Sequence, residues 1–207
     1  MHKLIFNSGS ALFLMILLLS CSDQETIERE MSSGLKEKYT ISAETNKKTG
    51  AYRLYYSDGA IFEESQYEND TLHGPRKLYY EDGGIEILEN YEKGIIEGPY
   101  KMYYPSGQVK VEGTYNKGVM DSTWTAYYPS GAIKEKVNYE DNFEQGPFIE
   151  YYESGNLKAK GQYLRGDNED GILYLYDSTG TEKRVMECDS GICRTIWTPD
   201  SSFAIPN

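Results

Sequence analysis

Two cysteines near the end of the chain, Cys188 and Cys193, flank Asp189-Ser190-Gly191-Ile192. In an oxidising compartment such a pair is the expected count for one disulfide, which would close the last turn. Cys-x4-Cys lacks the two-residue spacing of a redox or zinc hairpin, and no histidine lies nearby, so the pair reads as a staple. Other candidates for chemistry are thinner. His73 sits in a turn-like stretch, and no Ser or Cys occupies a recognised nucleophile motif. Carboxylates abound, but a general acid needs a cleft that raises its pKa, and the pattern shows none. Asp167-Asn168-Glu169-Asp170 is acidic without the alternation of a calcium loop. The expectation is a protein that is not an enzyme, with no cofactor and no metal.

Charge narrows the partners. The 207 residues hold 21 Lys+Arg against 33 Asp+Glu, a net charge of −12. A negative field of that size repels nucleic-acid phosphates, so no nucleic-acid partner is expected. Residues 1 to 20 have their own character: one lysine, no acid, and an unbroken apolar run from Ala11 to Leu19. That run is shorter than the roughly 20 residues of a transmembrane helix and suits a signal peptide. It ends in Leu18-Leu19-Ser20-Cys21, which looks like a bacterial lipobox. The resemblance implies cleavage before Cys21 and acylation of that cysteine, with enough chains for stable anchoring. Ser22 rather than Asp follows, which resembles an outer-membrane address. Residues 21–39 then read as the lipidated cysteine and a polar, solvated tether.

The elements that must position everything else repeat. Tyr-Tyr pairs fall at Tyr55-Tyr56, Tyr79-Tyr80, Tyr103-Tyr104, Tyr127-Tyr128 and Tyr151-Tyr152, each 24 residues from the last. A sixth unit follows one residue late, with Tyr176 and then Asp177. Gly50, Gly74, Gly98, Gly146 and Gly171 open their units, and Ser122 substitutes once. A second tyrosine column, Tyr67, Tyr91, Tyr115, Tyr139 and Tyr163, becomes Cys188 at the end. A small polar residue and Gly follow each Tyr pair, as in Asp58-Gly59 and Ser106-Gly107, which is tight-turn chemistry. The turn after the second column carries only Asp70, Gly94, Gly118, Asn142, Gly166 or Gly191 at its third position, residues that tolerate positive φ.

Between turns the chain alternates with period two. Trp124, Ala126 and Tyr128 share one face, opposite Thr125 and Tyr127; Val109, Val111, Gly113 and Tyr115 share another. One apolar and one polar face per strand predicts an antiparallel sheet with a wet side. The fold expected is all-β: an elongated, twisted meander of about six 24-residue hairpins over 40–193, each touching its neighbours. Thr40 to Ala43 fits a half-unit at the front, and 194–207, with Trp197 and Phe203, fits a cap folded over the last hairpin.

Adjacent tyrosines point to opposite faces of a sheet. One column must pack the apolar face with Ile61, Ile85, Val109, Ile133 and Leu157; the other, Tyr55, Tyr79, Tyr103, Tyr127, Tyr151 and Tyr176, stands on the polar face. Two readings of the second set are open: rings that cover backbone and lysine stems, or a ladder that binds protein or glycan.

These residues resemble the MORN-repeat family, in the variant with Gly-x-aromatic-x-x-Tyr-Tyr-x-x-Gly and a Tyr-x-x-Gly turn, over about residues 50 to 191. Repeats of this variant are often labelled YwqK-like antitoxins. The resemblance implies a single elongated β-sheet. With the lipobox it suggests a non-catalytic interaction scaffold, anchored by lipid in the outer membrane of the bacterial envelope, holding an envelope protein. A toxin or a glycan is the alternative partner.

Overall fold

A computed structural model describes residues 23–200, and every regular element in them is a β-strand. The chain starts with β1 (Gln24–Glu30) and β2 (Lys36–Ser42) and then runs through six hairpins. The first joins β3 (Lys48–Tyr55) to β4 (Ile61–Glu68). In the second, β5 (Thr71–Leu72) and β6 (Gly74–Tyr79) form one strand broken at His73, which turns into β7 (Ile85–Glu92). The third repeats this with β8 (Ile95–Ile96), β9 (Gly98–Tyr103) and β10 (Val109–Asn116). Then come β11 (Val119–Tyr127) with β12 (Ile133–Glu140), β13 (Phe143–Tyr151) with β14 (Leu157–Tyr163), and β15 (Gly171–Tyr176) with β16 (Glu182–Asp189). β17 (Ile192–Trp197) comes last. Pairing is antiparallel between sequence neighbours throughout, in one open sheet with β1 and β17 at its edges.

Backbone geometry explains the residue columns. In the turn between units both central residues have positive φ, as at Asn69-Asp70, Lys117-Gly118 and Ser190-Gly191. Such turns match the right-handed strand twist. The unit-opening column also has positive φ, from 62° at Ser122 to 89° at Gly74. Each of these residues lies opposite the second tyrosine column, as in Gly50↔Tyr67, Gly98↔Tyr115 and Ser122↔Tyr139. Glycine there relieves the left-handed backbone beneath a ring.

The main core cluster lies on one face of the sheet. Val137, Phe148, Ala159, Leu173 and Cys188 are buried together, with Tyr139, Tyr163 and Met186 packed around them. One unit earlier, Trp124 is wedged among Tyr100, Tyr115 and Tyr139, with ring centroids 5.1–6.2 Å apart. Toward the front the same face turns ionic. Arg76 donates two bonds to Glu63, both 2.9 Å, and one of 2.7 Å to Glu89. Lys48 lies over the Tyr39 and Tyr52 rings at 4.5 and 4.9 Å.

Three expectations change. The stretch 21–39 is no free tether: its described part is the hairpin β1–β2, and the sheet runs from Gln24 to Trp197. Its apolar content is low, but opposite charges alternate across the two strands. Glu28 faces Lys38 and Arg29 faces Glu37, both ion-paired, and Ile27 faces Tyr39. Second, β17 continues the sheet in plane, with Trp197 opposite Val185, rather than folding over it. Cys21 and Phe203 lie outside the described residues. Third, a bulge interrupts the hairpin ladder at each first tyrosine: Leu54 faces Glu63 but Tyr55 faces Ile61. The one-residue slip sets Ile61, Ile85, Val109, Ile133 and Leu157 opposite the first tyrosine column, so Val109 and Val111 do not continue one alternation.

Candidate functional site

The ladder pairings trace one row of side chains across the face opposite the core. It runs Glu28, Lys38, Arg53, Glu64, Lys77, Leu88, Lys101, Glu112, Thr125, Lys136, Ile149, Lys160, Tyr174 and Val185. In the first half, cations meet acids: Lys38 pairs with Glu28, Arg53 with Glu64 at 2.8 Å and Lys101 with Glu112 at 2.9 Å. These bonds hold the Glu64 and Glu112 carboxyls below the usual range, with the Arg53 and Lys101 bonds contributing most.

The first tyrosine column joins this row and is half-buried throughout. Tyr79 donates to Glu64 at 2.8 Å and Tyr127 to Glu112 at 2.6 Å. Both phenols are pushed up to about 12, Tyr79 chiefly by desolvation and Tyr127 chiefly by its bond to Glu112. Tyr55, Tyr103, Tyr151 and Tyr176 lie at the equivalent bulges, opposite Ile61, Val109, Leu157 and Glu182.

The second member of each pair spans units. Tyr56, Tyr80, Tyr104, Tyr128 and Tyr152 donate their hydroxyls to the main-chain carbonyls of Tyr79, Tyr103, Tyr127, Tyr151 and Tyr176, at 2.6–3.1 Å. Every Tyr-Tyr pair is therefore a clamp, in which the second ring ties its own unit to the main-chain carbonyl of the next unit's first tyrosine. At the end of the array Cys188 and Cys193 face each other across β16 and β17 and are joined by a disulfide, with Cα atoms 4.0 Å apart.

Past Glu112 the row loses its acids, and there a groove of about 650 Å³ crosses β11 to β15. Lys136, Lys160, Ile149, Ile172, Gln162 and Tyr174 line it, and no acidic residue does. The Lys160 ammonium lies 4.5 Å from the Tyr174 ring centroid. Asn138, at the same margin, accepts from Thr123 and donates to the Pro147 carbonyl. Sequence reasoning looked at the tyrosine column and missed these residues. The signal was present: Lys136 and Lys160 are 24 residues apart, in a column where earlier units carry Glu64, Leu88 or Glu112.

On the core face Glu135 lies opposite Glu150 and beside a recess of about 300 Å³ lined by Trp124 and Tyr139. Burial, then the Glu150 and Glu144 charges, push the Glu135 carboxyl above its usual range. Tyr139 donates to Glu144 at 3.0 Å.

An open sheet built from one hairpin, repeated with its clamp, defines a β-repeat protein. Five consecutive stretches, residues 48–69, 72–93, 96–117, 120–141 and 144–164, match the MORN repeat variant and together cover more than half of the chain. The chain belongs to the MORN repeat variant family. The sixth hairpin, β15–β16, lies beyond the last match and keeps the same pairing. No curated protein matches the sequence. MORN repeats suggest a repeat scaffold for protein or membrane interaction.

Proposed function

We propose that this protein is a non-catalytic scaffold, anchored by lipid on Cys21 in the bacterial cell envelope, that holds a partner protein on the polar face of its sheet. The observation that carries this reading is the acid-free groove across β11 to β15 in a chain of net charge −12. Two lysines that make no ion pair among the described residues, beside Ile149, Ile172 and Tyr174, give a partner both charge and apolar area to bury.

The anchor supports the same picture. Only three residue steps separate Cys21 from Gln24, where β1 begins, so a lipidated Cys21 holds the first strand within about 10 Å of the bilayer. Neighbouring strands are about 4.8 Å apart, and β13, at the groove's centre, is ten strand positions from β1. The array then presents the groove roughly 50 Å along the sheet from the anchored edge.

Crosslinking on live cells, with tagged protein and mass spectrometry, tests this. One dominant protein partner is expected, lost when Ile149 is changed to Asp, and the wild-type chain, but not Cys21→Ser, is expected to take up radiolabelled palmitate and to lose residues 1–20. Recovery of no specific protein would overturn the scaffold reading, and a wild-type chain that carries no acyl label would overturn the anchor.

A further inference from the structure

We propose that the groove takes an extended, acidic segment of the partner, in polyproline II form, with carboxylates three residues apart held by Lys136 and Lys160. This rests on the scaffold reading and names what the scaffold grips. The charge argument comes from contrast along one row of side chains. Lys38, Arg53 and Lys101 each have a glutamate as cross-strand neighbour and ion-pair with it. Lys136 instead lies between Thr125 and Ile149, and Lys160 between Ile149 and Tyr174. Among the described residues neither makes an ion pair, and Lys160 rests on the Tyr174 ring. The nearest acid in the row, Glu112, is already occupied by Lys101 and Tyr127.

Spacing selects the conformation. Lys136 on β12 and Lys160 on β14 are two strands apart, about 9.6 Å. A polyproline II segment rises about 3.1 Å per residue with three residues per turn, so positions i and i+3 share a side about 9.3 Å apart. A β-strand fits less well, because residues three apart point to opposite sides. Polyproline II also leaves its main-chain polar groups free. The Gln162 amide, which makes no hydrogen bond among the described residues, sits at the groove to meet them. Between the lysines, Ile149 supplies an apolar seat for the intervening residues. A sugar chain suits the site less: the Tyr174 ring carries the Lys160 ammonium, and Phe148, the other aromatic residue at the groove, is buried in the core cluster.

The test uses the full chain, purified from membranes in detergent, and fluorescence anisotropy with three labelled probes: (Glu-Pro-Pro)5, (Gln-Pro-Pro)5 and polygalacturonate. The glutamate peptide is expected to bind, to weaken as salt rises, and to lose about tenfold in affinity in Lys136→Gln/Lys160→Gln, while Lys136→Arg/Lys160→Arg retains it. Unchanged thermal unfolding of both variants separates binding from folding. Equal binding of the glutamine peptide, or lysine-dependent binding of polygalacturonate alone, overturns the proposal. So does absence of binding by the glutamate peptide. If that peptide fails while cells still yield a partner sensitive to Ile149→Asp, the acidic-segment inference falls and the scaffold stands; if both fail, both fall.

Discussion

The hydroxyl of the second tyrosine in each pair does work that the first does not. Tyr104 donates to the Tyr127 carbonyl at 2.9 Å, whereas the Tyr103 hydroxyl has no hydrogen bond among the described residues. Tyr104→Phe is therefore expected to cost about 0.5–1.5 kcal/mol in urea unfolding, and Tyr103→Phe less than about 0.5 kcal/mol. Charge gives a second contrast. Glu135 has its folded pKa raised, so its ionisation destabilises the fold as pH rises through the usual carboxylate range and above it. Glu135→Gln is expected to raise Tm at pH 7, with the gain shrinking as pH falls toward 4. Tyr79 and Tyr127 are the alkaline counterpart: burial of Tyr79 and the Tyr127 bond to Glu112 disfavour the phenolates, so stability is full below about pH 10 and is lost as pH rises through about 12. The clamp was not legible in the sequence. Period-two alternation separates the two rings onto opposite faces, but the tyrosine that reaches the next unit's carbonyl does so past a bulge, which alternation does not encode.

At the scale of the hairpin, backbone sign and close approach decide most positions. Ser122 holds φ of 62° where the other five units have glycine. Ser122→Gly should therefore stabilise by about 0.5–1 kcal/mol, the left-handed strain relieved less the entropy glycine costs, measured by chemical unfolding. Gly113 is the converse. A Cβ there would sit 2.2 Å from the Trp124 ring, so Gly113→Ala should destabilise by about 1–3 kcal/mol and perturb tryptophan fluorescence. Both turns were readable from Gly, Asn and Asp columns, because positive φ selects residue type strongly. The front hairpin was not. In β1 the sequence Gln-Glu-Thr-Ile-Glu-Arg-Glu has a single apolar residue, Ile27, and composition alone assigns it to solvent. Its order comes from partners in β2, where Lys38 and the buried Glu37 complete ion pairs that only the register brings together.

For the whole molecule, the sheet is a line of nearest-neighbour contacts, and fold class followed directly from the 24-residue period. Deleting residues 98–121 joins Glu97 to Ser122, which occupies the same left-handed register position as Gly98. The product is expected to keep β-type circular dichroism and cooperative unfolding, one unit shorter. The groove was less legible, since it depends on what is missing from a row: acids present at Glu64 and Glu112 and absent beside Lys136 and Lys160. That asymmetry makes one end of a repetitive sheet different from the other, and it is where the account places function. Site-specific photocrosslinking in cells tests this most directly, with the probe at Ile149 on the polar face or at its neighbour Glu150 on the core face. The account predicts one protein captured from position 149 and not from position 150. Capture from position 150 alone, or equally from both, would contradict it.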